Sequence, residues 1–249
     1  MEVSEIKSSP GKGLGVFATR PIPRGYRIVC EKPIMTALRE PGFLDIHHVY
    51  DQFDRLSQED QDKYFTLHTA QEKIDFILPS TNKILPRPIR HRIAKAVSIF
   101  ETNGFRLETS TESGTSGVFA TTSRFNHSCT PNANQDWNTN IGSLTVHAVK
   151  NITVAEEITI PYVFLCSDRR QRQLSLEGWY FKCSCFACDM FRPNWKVSEK
   201  RRRQIYRLDQ DLNFFRERNI RVAFAAWDRS VDLSLIELGL KPRVIPLRS

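Results

Sequence analysis

The chain contains no run of about 18 apolar residues, the length a membrane-crossing helix needs, and no basic, then apolar, then small-residue opening like that of a signal peptide. These absences predict an intracellular protein, nuclear or cytoplasmic, with no membrane partner. Internal repeats and long low-complexity segments are also missing. Cysteine is sparse: six in 249 residues, and none from Gly42 to Gly104. No paired C-x-C and H-x-H set occurs, which argues against an ordinary zinc-finger nucleic-acid reader.

What is present bounds the rest. A length of 249 residues with 40% hydrophobic content suits one main core with an appended module. Three of the cysteines, Cys183, Cys185 and Cys188, form a C-x-C-x-x-C cluster, one ligand short of a closed tetrahedral zinc site, and Cys129 is a candidate for the fourth. Three disulfides are the alternative reading. Thiols stay reduced inside cells, however, and Cys183 to Cys188 crowd too closely for an ordinary disulfide framework. Cys30 and Cys166 have apolar sequence neighbours and are expected to be buried core thiols.

The net charge of +8 is uneven: between Lys196 and Arg221 nine basic residues face four acidic ones. The block Lys200-Arg201-Arg202-Arg203 is similar to a nuclear localisation signal, although short basic runs are more commonly solvated helix faces. Nucleic acid is therefore an optional partner of this basic tail.

Residues 1 to 36 read as strands broken by turns, with alternating Gly11, Gly13 and Gly15 in one of them. Gly42 to Gly104 reads as helical. Ser57 is an N-cap with Glu59 and Asp60 in the first turn, and Ile89, Ile93, Val97 and Phe100 repeat at helical spacing after Pro88. Thr109 to Gly117 is an expected loop, followed by strands at Gly117–Thr121, Leu144–Val149 and Glu157–Val163. A helix over Asp168–Glu177 precedes the cysteine cluster, and Ile205, Leu208, Leu212 and Phe215 share one face of a last helix.

Two motifs admit bland and functional readings. The glycine alternation is a hairpin turn, or a loop whose missing Cβ atoms let the backbone approach a ligand. The run Ser123-Arg124-Phe125-Asn126-His127-Ser128-Cys129-Thr130-Pro131-Asn132-Ala133 is a turn stabilised by Asn and Ser, or a site.

The ordered set formed by Gly11-Lys12-Gly13-Leu14-Gly15-Val16-Phe17-Ala18, Arg124-Phe125-Asn126-His127-Ser128-Cys129, Glu156 to Tyr162, and Cys183-x-Cys185-x-x-Cys188 resembles the SET-domain protein methyltransferases. The helical insertion and the Cys129-dependent metal site most resemble the SET-MYND-like and fungal-type branches. The chain departs from them in lacking a MYND zinc finger, and Pro161 stands where many members have serine.

The resemblance implies an α+β fold: a mainly β SET domain with a β-clip-like core, a helical insertion, a zinc-bound post-SET segment and a helical tail. The expected boundaries are 1–40 and 105–165 for the two parts of the SET domain, 41–104 for the insertion, 166–190 for the post-SET segment and 191–249 for the tail. It also implies transfer of a methyl group from S-adenosylmethionine to a lysine of a protein substrate. Lys12, Gly13, Leu14, Asn126, His127, Tyr162 and Phe181 would hold the cofactor, and Tyr162 would also be catalytic. Phe105 and Trp179 would line the lysine channel, with core packing the rival reading for Phe105. Cys129, Cys183, Cys185 and Cys188 would bind one structural Zn2+. A non-catalytic SET-like peptide-binding module and a zinc-stapled nucleic-acid-binding protein are the competing classes, and the intact Asn126, His127 and Tyr162 weigh against the first.

Overall fold

The computed structural model describes residues 3–39, 45–107 and 114–215. The described residues fall into two compact units. The first takes the chain up to Asn126 with Pro131–Ile160 and Gly178–Tyr180; the second takes His127–Thr130, Pro161–Glu177 and the chain from Phe181.

The first unit opens with β1 (Ser4–Ser9) and β2 (Gly13–Ala18), an antiparallel hairpin in which Ser9 faces Gly13. Its turn needs left-handed backbone at Gly11 (φ 72°) and Gly13 (φ 77°), which glycine adopts without steric cost. Strands β3 (Arg27–Glu31) and β4 (Met35–Arg39) follow. Four helices come next: α1 (Ile46–Asp54), α2 (Gln58–Phe65), α3 (Gln71–Ile77) and α4 (Arg87–Asn103). The Ser57 side chain caps α2 by accepting the Asp60 backbone N–H, with Glu59 and Asp60 in the first turn. Val49, Phe53, Tyr64, Ile74, Ile93, Val97 and Phe100 bury a common core with Met35 and Val118, each large side chain contributing about 1.5–3 kcal/mol. Within it the Tyr64 hydroxyl donates to the Ala96 carbonyl at 2.8 Å. Ile89, expected on this buried face, is exposed because it lies in the first turn of α4, before the helix reaches the core.

The chain then forms β5 (Phe105–Arg106), β6 (Gly114–Val118), the two-residue β7 (Asn126–His127), β8 (Ala133–Asn138), β9 (Ser143–Ala148) and β10 (Glu157–Ile160). β6 corrects the expected loop at Thr109–Gly117: residues 109–113 lie outside the described residues, but Gly114–Gly117 is a strand paired with β4 on one side and β5 on the other. Its small residues reflect crowding. A Cβ on Gly117 would stand 3.1 Å from both Leu107 and Pro33. β8 carried no strand expectation, Asn134, Gln135, Asp136 and Asn138 being polar, yet it pairs along its length with β9 and exposes alternate side chains.

β3 pairs with the other edge of β9, and no residue of this edge strand is buried. Cys30 is accordingly exposed rather than a core thiol, and Cys166, beyond β10, is only half-buried. β10 pairs with β2 and stops at Ile160, since Pro161 has no N–H to continue the ladder, so Tyr162 lies past the strand expected to carry it.

The second unit contains α5 (Arg169–Leu176), capped by the Asp168 carboxylate on the Gln171 N–H, and α6 (Trp195–Phe215). Ile205 is buried and Leu208 half-buried on the inner face of α6. The side chains of Leu212 and Phe215, and the tail from 216 to 249, lie outside the described residues. The inner face also carries charge. Arg172 and Arg202 are almost fully buried; Arg172 pairs with Glu199 at 3.0 Å and donates to the Ser167 carbonyl, while Arg202 donates to the carbonyls of Leu165 and, at 3.2 Å, Cys129. The block Lys200–Arg203 is thus part of a packed helix with one arginine turned inward. No described helix is long and apolar enough to cross a membrane. The described architecture is α+β, three small sheets with helices, in two units.

Candidate functional site

In the first unit three of the expected cofactor residues, Lys12, Leu14 and Asn126, meet around a carboxylate that carried no expectation. Glu157, the first residue of β10, accepts from Ser9 Oγ at 2.8 Å and Asn126 Nδ2 at 2.8 Å through one oxygen, and from Lys12 Nζ at 2.7 Å through the other. Asn126 Nδ2 also donates to the Leu14 carbonyl at 3.0 Å, so Lys12, Leu14 and Asn126 are tied to one anchor. Burial works to raise the Glu157 carboxyl, but the hydrogen bonds from Lys12, Asn126 and Ser9 outweigh it and hold the group below the usual carboxylate value. Gly15 makes the arrangement sterically feasible: a Cβ there would stand 2.7 Å from Glu157 Oε1 and 2.9 Å from Asn126 Nδ2. At Gly13, by contrast, an added Cβ meets nothing within 4 Å, and Leu14 is 47% exposed.

Behind this hub, Asn132 spends its amide on the protein. Nδ2 donates to Glu156 Oε1 at 2.8 Å and to the Glu157 carbonyl at 2.9 Å, and Oδ1 accepts the Thr159 N–H at 2.8 Å. Such side-chain bonding adds to the strand pairing that holds β10 against β2. The two expected channel aromatics have structural partners in the same unit. Phe105 packs edge-on against buried Phe119 with ring centroids 5.7 Å apart. Trp179 Nε1 donates to the Thr102 carbonyl near the end of α4 at 2.9 Å.

In the second unit the expected metal ligands come together. The four sulfurs of Cys129, Cys183, Cys185 and Cys188 all lie within 4.8 Å of one another. Zinc–sulfur bonds of about 2.3 Å in a regular tetrahedron require sulfur pairs about 3.8 Å apart. Cys129 Sγ stands 3.6 Å from Cys188 Sγ and 3.9 Å from Cys183 Sγ, so the donor set fits a tetrahedral cation. Mutual hydrogen bonding pushes the Cys129 thiol well up, while bonding to Cys129 draws Cys185 well down and Cys188 to about 7. Four contacting sulfurs cannot all ionise without a cation to hold them. Gln173 braces the cluster: Nε2 donates to the Cys183 carbonyl at 2.7 Å and contacts Cys188 Sγ at 3.4 Å, and Oε1 accepts the Cys183 N–H at 3.1 Å.

His127 stands beside the cluster, 5% exposed. Its Nδ1 accepts the Tyr162 backbone N–H at 3.0 Å, and its Nε2 is 3.3 Å from Cys129 Sγ. An accepting Nδ1 leaves the proton of the neutral ring on Nε2, directed at the sulfur. The ring therefore serves the protein, and a ligand contact at His127 falls to its backbone. The rings of His127 and Tyr162 are 5.4 Å apart, and Phe181, 38% exposed, closes a trio edge-on to Tyr162 at 6.4 Å. Glu157, Asn132, Gln173, Arg172, Arg202 and Glu199 lay outside the expected site; only the neighbouring Glu156-Glu157 pair gave a local signal, and it did not distinguish which carboxylate is the hub.

The chain is similar to known proteins over most of its length. The chain is 30% identical over 213 residues to "Histone-lysine N-methyltransferase set5" of Schizosaccharomyces pombe, an alignment covering 85% of this chain and 58% of that protein. Shorter alignments match a SET and MYND domain-containing protein of Dictyostelium discoideum, 37% identical over 31% of this chain and 15% of the relative, and mouse "Protein-lysine N-trimethyltransferase SMYD5", 39% identical over 29% and 18%. The chain thus spans less than two thirds of these curated relatives. Residues 13–163, more than half of the chain, match the SET domain, and the chain belongs to the SET-domain family.

Proposed function

We propose that this chain is a protein-lysine methyltransferase that takes its methyl group from S-adenosylmethionine. When bound, that cofactor supplies an electrophilic methyl on a sulfonium, which leaves the protein to align the acceptor nitrogen and exclude water. The observation that carries the reading is the double anchoring of the Asn126-His127 pair, Asn126 to Glu157 and Leu14, His127 to Tyr162 and Cys129. A SET-like module that had lost turnover would have no need of a buried ring fixing the backbone of Tyr162.

The residues present fit the cofactor. Lys12 is an exposed cation at the glycine turn, suited to a carboxylate, and Phe181 offers an exposed ring, suited to adenine. Lys12, Gly13, Leu14 and Asn126, with His127 through its backbone, would hold it together with Tyr162 and Phe181. The Tyr162 hydroxyl orients the incoming amine, and Trp179 and Phe105 contribute apolar walls for a lysine stem. Cys129, Cys183, Cys185 and Cys188 would hold one Zn2+ with no open position, a structural role that holds the strand-end loop bearing Tyr162 by way of His127. The substrate is a protein bearing an accessible lysine.

Incubation of the full chain with labelled S-adenosylmethionine, histones and cell extract tests the reading. Label is expected on lysine of a discrete set of proteins and absent with Tyr162→Phe. Cofactor binding by calorimetry with no labelled product in any mixture would favour the non-catalytic module.

A further inference from the structure

The proposed reaction uses nothing on the outer face of α6. There Lys196, Lys200, Arg203 and Arg207 recur at intervals of four, three and four residues, which aligns them along one side of the helix, and all four are exposed. At 1.5 Å per residue the stripe is about 16 Å long. Arg170 of α5 joins it across a groove of ≈ 480 Å³ that is lined also by Arg203, Arg207, Tyr206 and Leu174. None of these five cations has a carboxylate within ion-pair distance among the described residues. Two acids border them. Asp168 lies at the groove and is engaged in capping α5, and Asp211 follows Arg207 by one turn on the same face.

The stripe is held rigidly. On the inner side of the same helix Arg202 bonds the carbonyls of Leu165 and Cys129, and Glu199 pairs with buried Arg172 and accepts the Arg169 N–H at 2.7 Å. The backbone carrying these cations is therefore preorganised, and a ligand has only their side-chain rotamers to order. Arginine forks match phosphate oxygens in pairs. Between them half-buried Tyr206, packed against Phe164 at 6.4 Å, and exposed Leu174 give an apolar floor on which a base or sugar can rest. An acidic peptide would also meet the charge but would bring backbone N–H and C=O groups to be satisfied, and the lining belongs to two helices whose backbone groups are already engaged. A single nucleic-acid strand asks only for cations and a stacking surface.

We propose that the stripe of α6 and its groove with α5 bind the phosphodiester backbone of single-stranded nucleic acid. The test is fluorescence anisotropy of a labelled 15-nucleotide oligouridine and oligodeoxythymidine with the full chain over a series of salt concentrations. Each phosphate contact contributes about 0.7 to the slope of log affinity against log salt, so Arg203→Gln with Arg207→Gln is expected to flatten the slope by about 1.4 and to weaken binding roughly tenfold near 0.1 M salt. Lys196→Gln with Lys200→Gln, on the preceding turns, should do the same, with zinc content and helical circular dichroism unchanged in both. The proposal is overturned if both pairs bind with the wild-type slope, if the wild type does not bind at about 50 mM salt, or if a polyglutamate peptide displaces the oligonucleotide at equal charge concentration.

Discussion

The Nδ1 atom of His127 accepts the backbone N–H of Tyr162 at 3.0 Å while the other ring nitrogen faces Cys129 Sγ at 3.3 Å. One buried ring thus links the segment bearing the proposed catalytic tyrosine to the cysteine cluster, and its two bonds can be removed separately. Asparagine reproduces an acceptor near Nδ1, and glutamine a donor near Nε2. His127→Asn is expected to keep most turnover but to surrender zinc faster to a chromogenic chelator; His127→Gln is expected to hold zinc and lose turnover. Identical losses of both properties in both variants would reduce His127 to packing.

The position of Cys129 would give a bound metal four cysteine ligands rather than three. Elemental analysis should find one zinc per chain, and Cys129→Ser should release it as readily as Cys185→Ser. Chelation should lower the thermal midpoint, because the sulfurs that the cation holds together repel once ionised. Full zinc retention by Cys129→Ser would place the fourth ligand elsewhere.

Tyr162→Phe keeps the ring contacts with His127 and Phe181 and removes only the hydroxyl. Turnover should fall at least about tenfold, equivalent to about 1.4 kcal/mol, with cofactor affinity little changed. Free lysine has a pKa of about 10.4 and only its neutral amine attacks, so wild-type turnover should rise from about pH 7 to about pH 9. A flat profile would mean that the channel itself has already lowered the lysine pKa.

Glu157→Gln removes the charge that Lys12, Asn126 and Ser9 share. The carboxyl lies below its ordinary value of 4.5, so its stabilisation is present above that value and is lost as the pH falls through the lower, folded value. Acid titration of thermal stability should therefore show a wild-type decline below about pH 4.5 that is shallower in the variant. At neutral pH the variant should bind S-adenosylmethionine more weakly by about 1–3 kcal/mol, since two of its contacts lose their anchor. Unchanged affinity by calorimetry would separate the hub from the cofactor site.

The sequence was most informative where local chemistry decides structure. Ser57 caps the helix expected of it, a helix follows Asp168 as expected, and Cys129 joins Cys183, Cys185 and Cys188 although 54 positions separate the first two. It was least informative where tertiary pairing overrides composition. The polar run of Ala133–Asn138 becomes a strand because β9 supplies its partners, and Gly114–Val118 becomes a central strand because β4 and β5 pair with it on either side, with room at Gly117 for no side chain. Cys30 pointed the other way: apolar neighbours suggested burial, but an edge strand leaves it open. At the site, the motif residues were legible and their supports were not. Arg202 sits in a run of four basic residues, and nothing in that run marks which one turns inward to bond the Cys129 carbonyl.

Gly15 carries no charge, offers no functional group and lies in the middle of a short strand, yet Glu157 and Asn126 both occupy the space its first carbon would take. In a saturation-mutagenesis scan this position should read as an empty column beside the permissive one of exposed Leu14. Every single-base change that alters a glycine codon adds at least a Cβ or ends the chain. Coding changes at position 15 are therefore expected to be tolerated only where the carboxylate and the amide give way together. Alleles there are expected to score as loss of function in a chain whose proposed catalytic tyrosine, cysteines and core are all intact.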